Sequence, residues 1–209
     1  MAASYNRSAW FYDRLSRLVY GRALVNAQVY LLQFVPADSC VLVVGGGTGW
    51  ILEELAKIHT SGLKITYVEV APDMMERSMR RNAGQNEVTF INDAVEHTDP
   101  GSGFDVVITP FLFDNFTAQT MKTVFGHIHS RLRPSGRWLN ADFQLTGKWW
   151  QIVFLRAMFI FFRLVCNIEA SALPDIEKQF KDGSYYLTEQ RFFYGDFVVA
   201  RAYQKITES

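Results

Sequence analysis

The residues best suited to chemistry are four closely spaced glycines and the acids that follow them along the chain. Gly45, Gly46, Gly47 and Gly49 come directly after the apolar run Val41 to Val44 and lead into a helix-compatible segment, 51–58. Glycine tolerates positive φ and has no Cβ, so a buried strand ending in such a turn can bring a ligand against bare backbone at a helix N-terminus. That chemistry suits a nucleotide-like cofactor. A dinucleotide turn needs its third glycine three residues after the second, but Trp50 stands there and the pattern is Gly45-x-Gly47-x-Gly49. A Walker loop is excluded because no Lys-Ser/Thr pair follows. The plain alternative is a tight strand-to-helix turn with no ligand.

The acids give the turn its context. Glu69 closes a second apolar run, 64–70, about 20 residues beyond the glycines, where a carboxylate accepts hydrogen bonds from both ribose hydroxyls. Otherwise it is a solvated strand-end charge. A third run, 87–91, leads to Asn92, Asp93 and Ala94. Asp93 is placed to accept from an exocyclic amine or to cap the next helix, and the two roles are compatible. Asp114, after a fourth run, and Asp142, near the end of a fifth, lie beyond strand carboxyl ends, where ligands of such sheets bind. They are the candidate catalytic bases, although loop aspartates more often cap helices or face solvent. His59, His127 and His129 fall on or just after predicted helices, and His97 lies just past the Asp93 segment, so all four read as surface or packing residues.

The elements that must position these residues alternate between strand and helix from 40 to 143, the pattern of a parallel sheet built from βαβ units. Helices are predicted at 51–58, 72–82 and 118–132, the second opening with a proline in its first turn. Before them, 4–35 shows near-3.6 periodicity with a break at Gly21. After them, two alternating runs, 184–194 and 196–205, join at Gly195-Asp196 as a hairpin. The division is one domain over 1–209: a helical cap (1–39), a cofactor-binding core (40–143) and an aromatic-rich helix with a terminal hairpin (144–209).

In this order the motifs resemble those of the class I S-adenosylmethionine-dependent methyltransferases. VLVVGGGTGW is similar to their first motif, TYVEVAPDMMERSMRR to the acidic strand end and its helix, and INDAVEH to the adenine-contacting segment. FDVVITPFLFDNF and LRPSGRWLNADF look like the fourth and fifth strands with their loops. The resemblance implies an α/β, Rossmann-like fold: a seven-stranded, mostly parallel sheet with a C-terminal antiparallel hairpin and helices on both faces. It implies S-adenosyl-L-methionine as cofactor, bound by Gly45, Gly46, Gly47, Gly49, Glu69, Val70, Met74, Asp93, Ala94 and Thr109. Gly45 and Gly47 would face the methionine part, Glu69 the ribose, Val70 and Met74 the adenine faces, and Asp93 with Ala94 the adenine edge. One position departs from the pattern: Val43 stands where the family usually has an acid that helps hold the cofactor's ammonium. The segment SAWFYDRLSRLVYGRALVNAQ loosely resembles the entry helices of the ubiquinone, menaquinone and phospholipid methyltransferases. On that likeness Tyr5, Trp10 or Tyr12 would lie over the cofactor's methyl end and exclude water, the alternative making them ordinary core aromatics of a docking helix. The candidate acceptor-binding residues are Tyr5, Tyr12, Phe111 and Trp149.

The segment 148–167 is unusually greasy. At 100° per residue, Lys148, Gln151, Arg156, Arg163 and Asn167 fall in a polar stripe about 160° wide, opposite an apolar face that includes Trp149, Trp150, Phe154, Phe161 and Phe162. Two internal arginines, each costing roughly 2.5 to 3.5 kcal/mol at a bilayer centre, argue against spanning. A buried or dimer-forming helix, a lid over an apolar substrate, and a membrane-surface helix remain as readings.

Composition narrows the function classes. Twenty-one basic and twenty-one acidic residues balance, so no overall field draws the chain to phosphates. Thr109-Pro110-Phe111 only partly matches the amine-gripping motif of nucleic acid methylating enzymes, so no nucleic acid partner is expected. Cys40 and Cys166 lack metal-ligand spacing, and no metal is expected. Asn6, Arg7, Asp13, Arg14 and Arg17 interrupt any leader-like apolar stretch, pointing to a cytoplasmic address, with peripheral membrane association and a homodimer left open. The expected activity is methyl transfer to a small hydrophobic acceptor such as a quinol, phenol or lipid-like molecule. Its rivals are a cofactor-binding protein of the same fold without catalysis and an NAD(P)-binding oxidoreductase.

Overall fold

The computed structural model describes residues 22–166 and 172–206, with backbone alone for 161–166. Tyr5, Trp10 and Tyr12 lie outside the described residues. In chain order the elements are α1 (Ala23–Leu32), β1 (Cys40–Val44), α2 (Trp50–Ile58), β2 (Ser61–Val68), α3 (Pro72–Ser78), β3 (Gln85–Ile91), β4 (Phe104–Pro110), α4 (Ala118–Arg131), β5 (Leu132–Phe143), α5 (Trp149–Cys166), α6 (Ile176–Asp182), β6 (Tyr185–Phe193) and β7 (Val198–Lys205). One seven-stranded sheet has the order β3-β2-β1-β4-β5-β7-β6. The first five strands run parallel, and β7 is antiparallel to both β5 and β6.

Strand β1 occupies the interior of this sheet because CVLVV can be buried on both faces, as parallel strands covered by helices require. Its alternate side chains feed two cores. Val41 and Val43 join Ile65, Tyr67, Leu139, Ala141 and Phe143 beneath α1, α2 and α5. Leu42 and Val44 join Val68 and Trp138 beneath α4 and α6. The second core is an aromatic stack: the ring centroids of Trp138 and Phe125 lie 4.7 Å apart and those of Phe180 and Tyr203 3.8 Å apart, each pair stacked with nearly parallel planes.

Helices α2 and α4 fall within a residue of their predicted bounds, and Thr117 caps α4 by accepting the Thr120 N–H. Helix α3 stops at Ser78 rather than Asn82. Its last turn tightens to i→i+3 bonds, Arg80 N–H to Arg77 and Arg81 N–H to Ser78, which turns Arg81 toward the glycine loop. There the Arg81 Nε donates to the Thr48 carbonyl at 2.9 Å. The hairpin forms as expected, with Tyr194, Gly195 and Asp196 all at positive φ in its turn.

Helix α5 is rotated relative to the expected amphipathic arrangement. Gln151, placed by periodicity in the polar stripe, is fully buried, together with Leu155, Met158 and Phe159. Its Oε1 accepts the Thr146 N–H at 2.7 Å and its Nε2 donates to the Gly195 carbonyl at 3.2 Å, so a polar side chain serves two backbone groups the core would otherwise strand. Trp150 packs 3.0 Å from where a Gly195 Cβ would stand. Part of the expected apolar face therefore looks outward: Trp149 is 76% exposed, and Val153 and Ile160 are exposed as well. Among the described residues no helix is long and apolar enough to cross a membrane.

Candidate functional site

Gly45, Gly47 and Gly49 adopt φ of 71°, 62° and 76°, so the turn after β1 needs glycine at three positions. The ends of β1, β2 and β3 are tied together around it. The Gly45 N–H donates to Val68 O at 2.9 Å, the Glu69 N–H to Ile91 O at 3.1 Å, and Asn92 Nδ2 to Glu69 O at 2.7 Å. In this corner the Glu69 carboxylate, 5% exposed, accepts the Gly47 N–H at 2.9 Å through one oxygen and the Ala71 N–H at 3.0 Å through the other. Burial pushes its carboxyl above the ordinary 4.5, and the N–H groups of Ala71, Gly47 and Val70 oppose that shift. A carboxylate has about four lone-pair sites, so Glu69 has acceptor capacity beyond these backbone bonds, as binding to ribose hydroxyls requires.

The neighbouring candidates surround this acid. Met74 Sδ is 3.8 Å from where a Gly47 Cβ would stand, Val70 is exposed, and Ala94 is partly buried. Asp93 is exposed, and its Oδ1 accepts the Ala94 N–H at 2.7 Å, beside the short 3₁₀ turn at 95–97 rather than as its N-cap. Val68 pairs with Ile91 in the sheet, so Val70 and Asp93 leave adjacent strand ends at matching positions. Sequence reasoning missed two residues here. Tyr67, fully buried, donates its hydroxyl to the Gly47 carbonyl at 3.0 Å, and Leu112 reaches to 3.0 Å from where a Gly45 Cβ would stand. The period of two that places Tyr67 on the same face as Glu69 was the available signal for the first; the second follows from the bend after β4, which has no comparable signature.

The structure assigns Thr109 to a different environment. It is fully buried on the α4/α6 face, donating to Asn140 Oδ1 at 2.8 Å and accepting from Trp138 Nε1 at 2.9 Å, so its hydroxyl serves the core. Asp114 and Asp142 are brought together on that face too, both buried. Asp142 Oδ1 accepts the Phe143 N–H at 2.9 Å, while its Oδ2 and the Nδ2 of Asn140 are buried with no partner among the described residues. Asp114 accepts from Asn115 Nδ2 at 2.8 Å. Burial first, and then the charge of Asp142, hold the Asp114 carboxyl well above the usual range. Burial pushes Asp142 up to about 7 against the pull of the Phe143 and Phe113 N–H groups and Arg201. Two such carboxyls cannot both ionise cheaply, so the pair retains a proton where free aspartates would have lost theirs. The Arg201 guanidinium is itself occupied by Gln144 and Glu177.

On the Glu69 side, by contrast, the ends of β4 and β5 carry aromatics. Phe111, at φ 53°, donates its N–H to Ala141 O at 2.7 Å and sets its ring 5.2 Å from Phe143. Phe143 continues to Phe197 at 5.1 Å, and Phe197 to Trp150 at 5.8 Å. Trp149, by contrast, is exposed to solvent. The glycine turn, Glu69 and the apolar wall thus share one edge of the sheet: a backbone cradle, a ribose-competent acid and a greasy flank.

Residues 41–136 match the family described as Methyltransferase domain. The ubiquinone biosynthesis O-methyltransferase of Paramagnetospirillum magneticum is 28% identical over 122 residues, which are 57% of this chain and 47% of that protein, so the chain spans about half the length of this curated relative. Among solved structures, the 1,6-didemethyltoxoflavin-N1-methyltransferase of Burkholderia thailandensis, with bound 1,6-didemethyltoxoflavin and S-adenosylhomocysteine, superposes with a TM-score of 0.64 at 16% identity, covering 99% of this chain and 92% of that one. Magnesium protoporphyrin IX methyltransferase from Synechocystis PCC 6803, with bound S-adenosylhomocysteine, gives 0.65 at 14% identity, covering 90% and 84%. Residues 41–136, a little under half of the chain, thus match the methyltransferase-domain family, and the seven-stranded sheet they help build has the fold of the S-adenosylhomocysteine-bound methyltransferases it superposes on.

Proposed function

We propose that the chain binds S-adenosylmethionine over the carboxyl ends of β1, β2 and β3 and catalyses methyl transfer to a small hydrophobic acceptor. The observation that carries this reading is the Glu69 carboxylate fixed by the Gly47 and Ala71 N–H groups beside a glycine turn held open by positive φ. Glu69 would take the ribose hydroxyls, Val70 and Met74 would border the base, and the backbone at Gly45 to Gly47 would face the remaining, methionine end. When bound, the cofactor supplies a methyl group on a sulfonium, which carries its own leaving group. The protein's task is then mainly to hold an acceptor in line and keep water away. Phe111 and Phe143 form a wall suited to a flat or greasy acceptor, and this favours a quinol, phenol or lipid-like molecule over a charged one. Asp114 and Asp142 lie on the other sheet face with their carboxyls closed off, so positioning rather than a carboxylate base is assigned the larger share of the rate.

The test is calorimetric titration followed by transfer of a labelled methyl group to a panel of quinols, phenols and aminolipids. The expected result is S-adenosylmethionine binding and transfer to at least one apolar acceptor. Selective binding of NAD(P) would replace the reading with an oxidoreductase, and transfer only to nucleic acid or protein would remove the acceptor class. Cofactor binding without transfer to any class would leave a non-catalytic binding protein.

A further inference from the structure

The glycine turn is gripped from below by two side chains of the β2 segment, and only one of them belongs to the cofactor reading. Glu69 takes the N–H of Gly47, while Tyr67, two residues earlier on the same face, donates its hydroxyl to the carbonyl of Gly47. The two peptide units that meet at the Gly47 Cα are therefore each fastened by one of these residues. The fit is close: a Cβ on Gly46 would stand 2.4 Å from the Tyr67 hydroxyl oxygen, so the turn rests directly on the phenol. Register explains why the tyrosine can reach. Val43 of β1 pairs with Tyr67 of β2, so the phenol rises beside Val43 toward the turn, and Val43 itself has no polar atom to offer there. Burial and the nearby Glu69 charge keep the phenol protonated far above neutral pH, so it acts as a donor throughout the working range.

We propose that Tyr67 is a positioning residue for the methionine end of the cofactor, fixing the Gly47 to Thr48 peptide so that the glycine backbone presents its surface in one orientation. The inference rests on the cofactor reading above and adds to it. Across the sheet order β3-β2-β1, a ligand with its base beside Val70 and Asp93 and its ribose at Glu69 has only its remaining end to lay over the β1 turn. Loosening the Gly47 carbonyl is felt at that end and not at the adenosine end.

The test uses Tyr67→Phe, which keeps the ring and its contact with Phe90, 5.7 Å away. Affinities of wild type and variant are measured for S-adenosylhomocysteine and for adenosine, which lacks the amino acid part, together with amide exchange at Gly47 and Thr48. The expected result is a loss of about fivefold for S-adenosylhomocysteine, adenosine unchanged within about twofold, and faster exchange at Thr48, whose peptide carries the freed carbonyl, while the Gly47 amide stays held by Glu69. Equal losses for the two ligands would make Tyr67 a general support of the fold, and an unchanged S-adenosylhomocysteine affinity would remove its role; either overturns the proposal. Unchanged exchange at Thr48 overturns it whether or not wild type binds the ligand. Failure of wild type to bind either ligand, with exchange accelerated as expected, overturns the cofactor reading and the assignment to a methionine end, leaving the turn clamp as a feature of the fold alone.

Discussion

Glu69 has to satisfy two backbone donors and still have acceptor capacity to spare, which only a carboxylate does well. In Glu69→Gln one oxygen becomes an amide nitrogen facing an N–H group, so the variant loses a turn contact and a ribose acceptor together. Hydrogen bonds to charged groups contribute about 1.5 to 3 kcal/mol, so affinity for S-adenosylmethionine is expected to fall at least tenfold by calorimetry; unchanged affinity would displace Glu69 from the ribose. The raised carboxyl pKa adds a pH signature with a definite sign. Protonation removes acceptor capacity, so wild-type affinity should weaken on acidification sooner than an ordinary glutamate would dictate, and the glutamine variant should lack that dependence. Glu69 was legible in the sequence because its type and distance from the glycines both have meaning. Tyr67 was only half legible: the period of two puts it on the face of Glu69, but an aromatic inside a strand reads as core, and the register beside Val43 is what shows its hydroxyl reaching the turn.

Among the elements, the contact between α2 and α3 is set by one glycine. Gly49 is the left-handed N-cap of α2, and a Cβ there would stand 2.5 Å from Ser78 Cβ and 2.6 Å from Ser78 Cα. Gly49→Ala therefore combines left-handed strain, about 1 to 2 kcal/mol, with a collision against backbone, about 1 to 3 kcal/mol. Gly103, at φ 79° with nothing within 4 Å, is the matched control and should incur the strain alone. Thermal unfolding should show the larger loss at Gly49, on the order of 2 to 4 °C for each kcal/mol; equal shifts would mean that α3 yields. Strand positions, the hairpin and two helices were readable from period and punctuation, because each rests on local chemistry. The early end of α3 and the rotation of α5 were not, because Arg81 and Gln151 answer to backbone groups of other elements, Thr48 in one case and Thr146 and Gly195 in the other.

For the whole molecule, the sheet divides its polar residues between two faces. Asp114 and Asp142 looked like rim bases because both follow strands, but strand ends say nothing about which face a side chain takes or what covers it. Their burial has a consequence for stability. A carboxyl moved from the ordinary 3.8 up to about 7 binds its proton more tightly in the folded chain than in the unfolded one. Its contribution is therefore complete below about pH 4 and is lost as the pH rises through about 7. Wild type is expected to unfold at lower temperature at pH 8 than at pH 5.5, and Asp142→Asn, whose amide oxygen can still accept the Phe143 N–H, should flatten that slope. A variant that keeps the wild-type slope would place the pH dependence elsewhere.

Strand β7 is the last of the seven to be synthesised, yet it occupies an interior slot, with β5 on one side and β6 on the other. A ribosome thus releases six strands before the wedge that joins two of them exists. Until then β5 exposes an unsatisfied ladder and the hairpin's first arm has nothing to zip onto, so the sheet closes only once β7 has emerged, and the partly made sheet presents open edges to other chains.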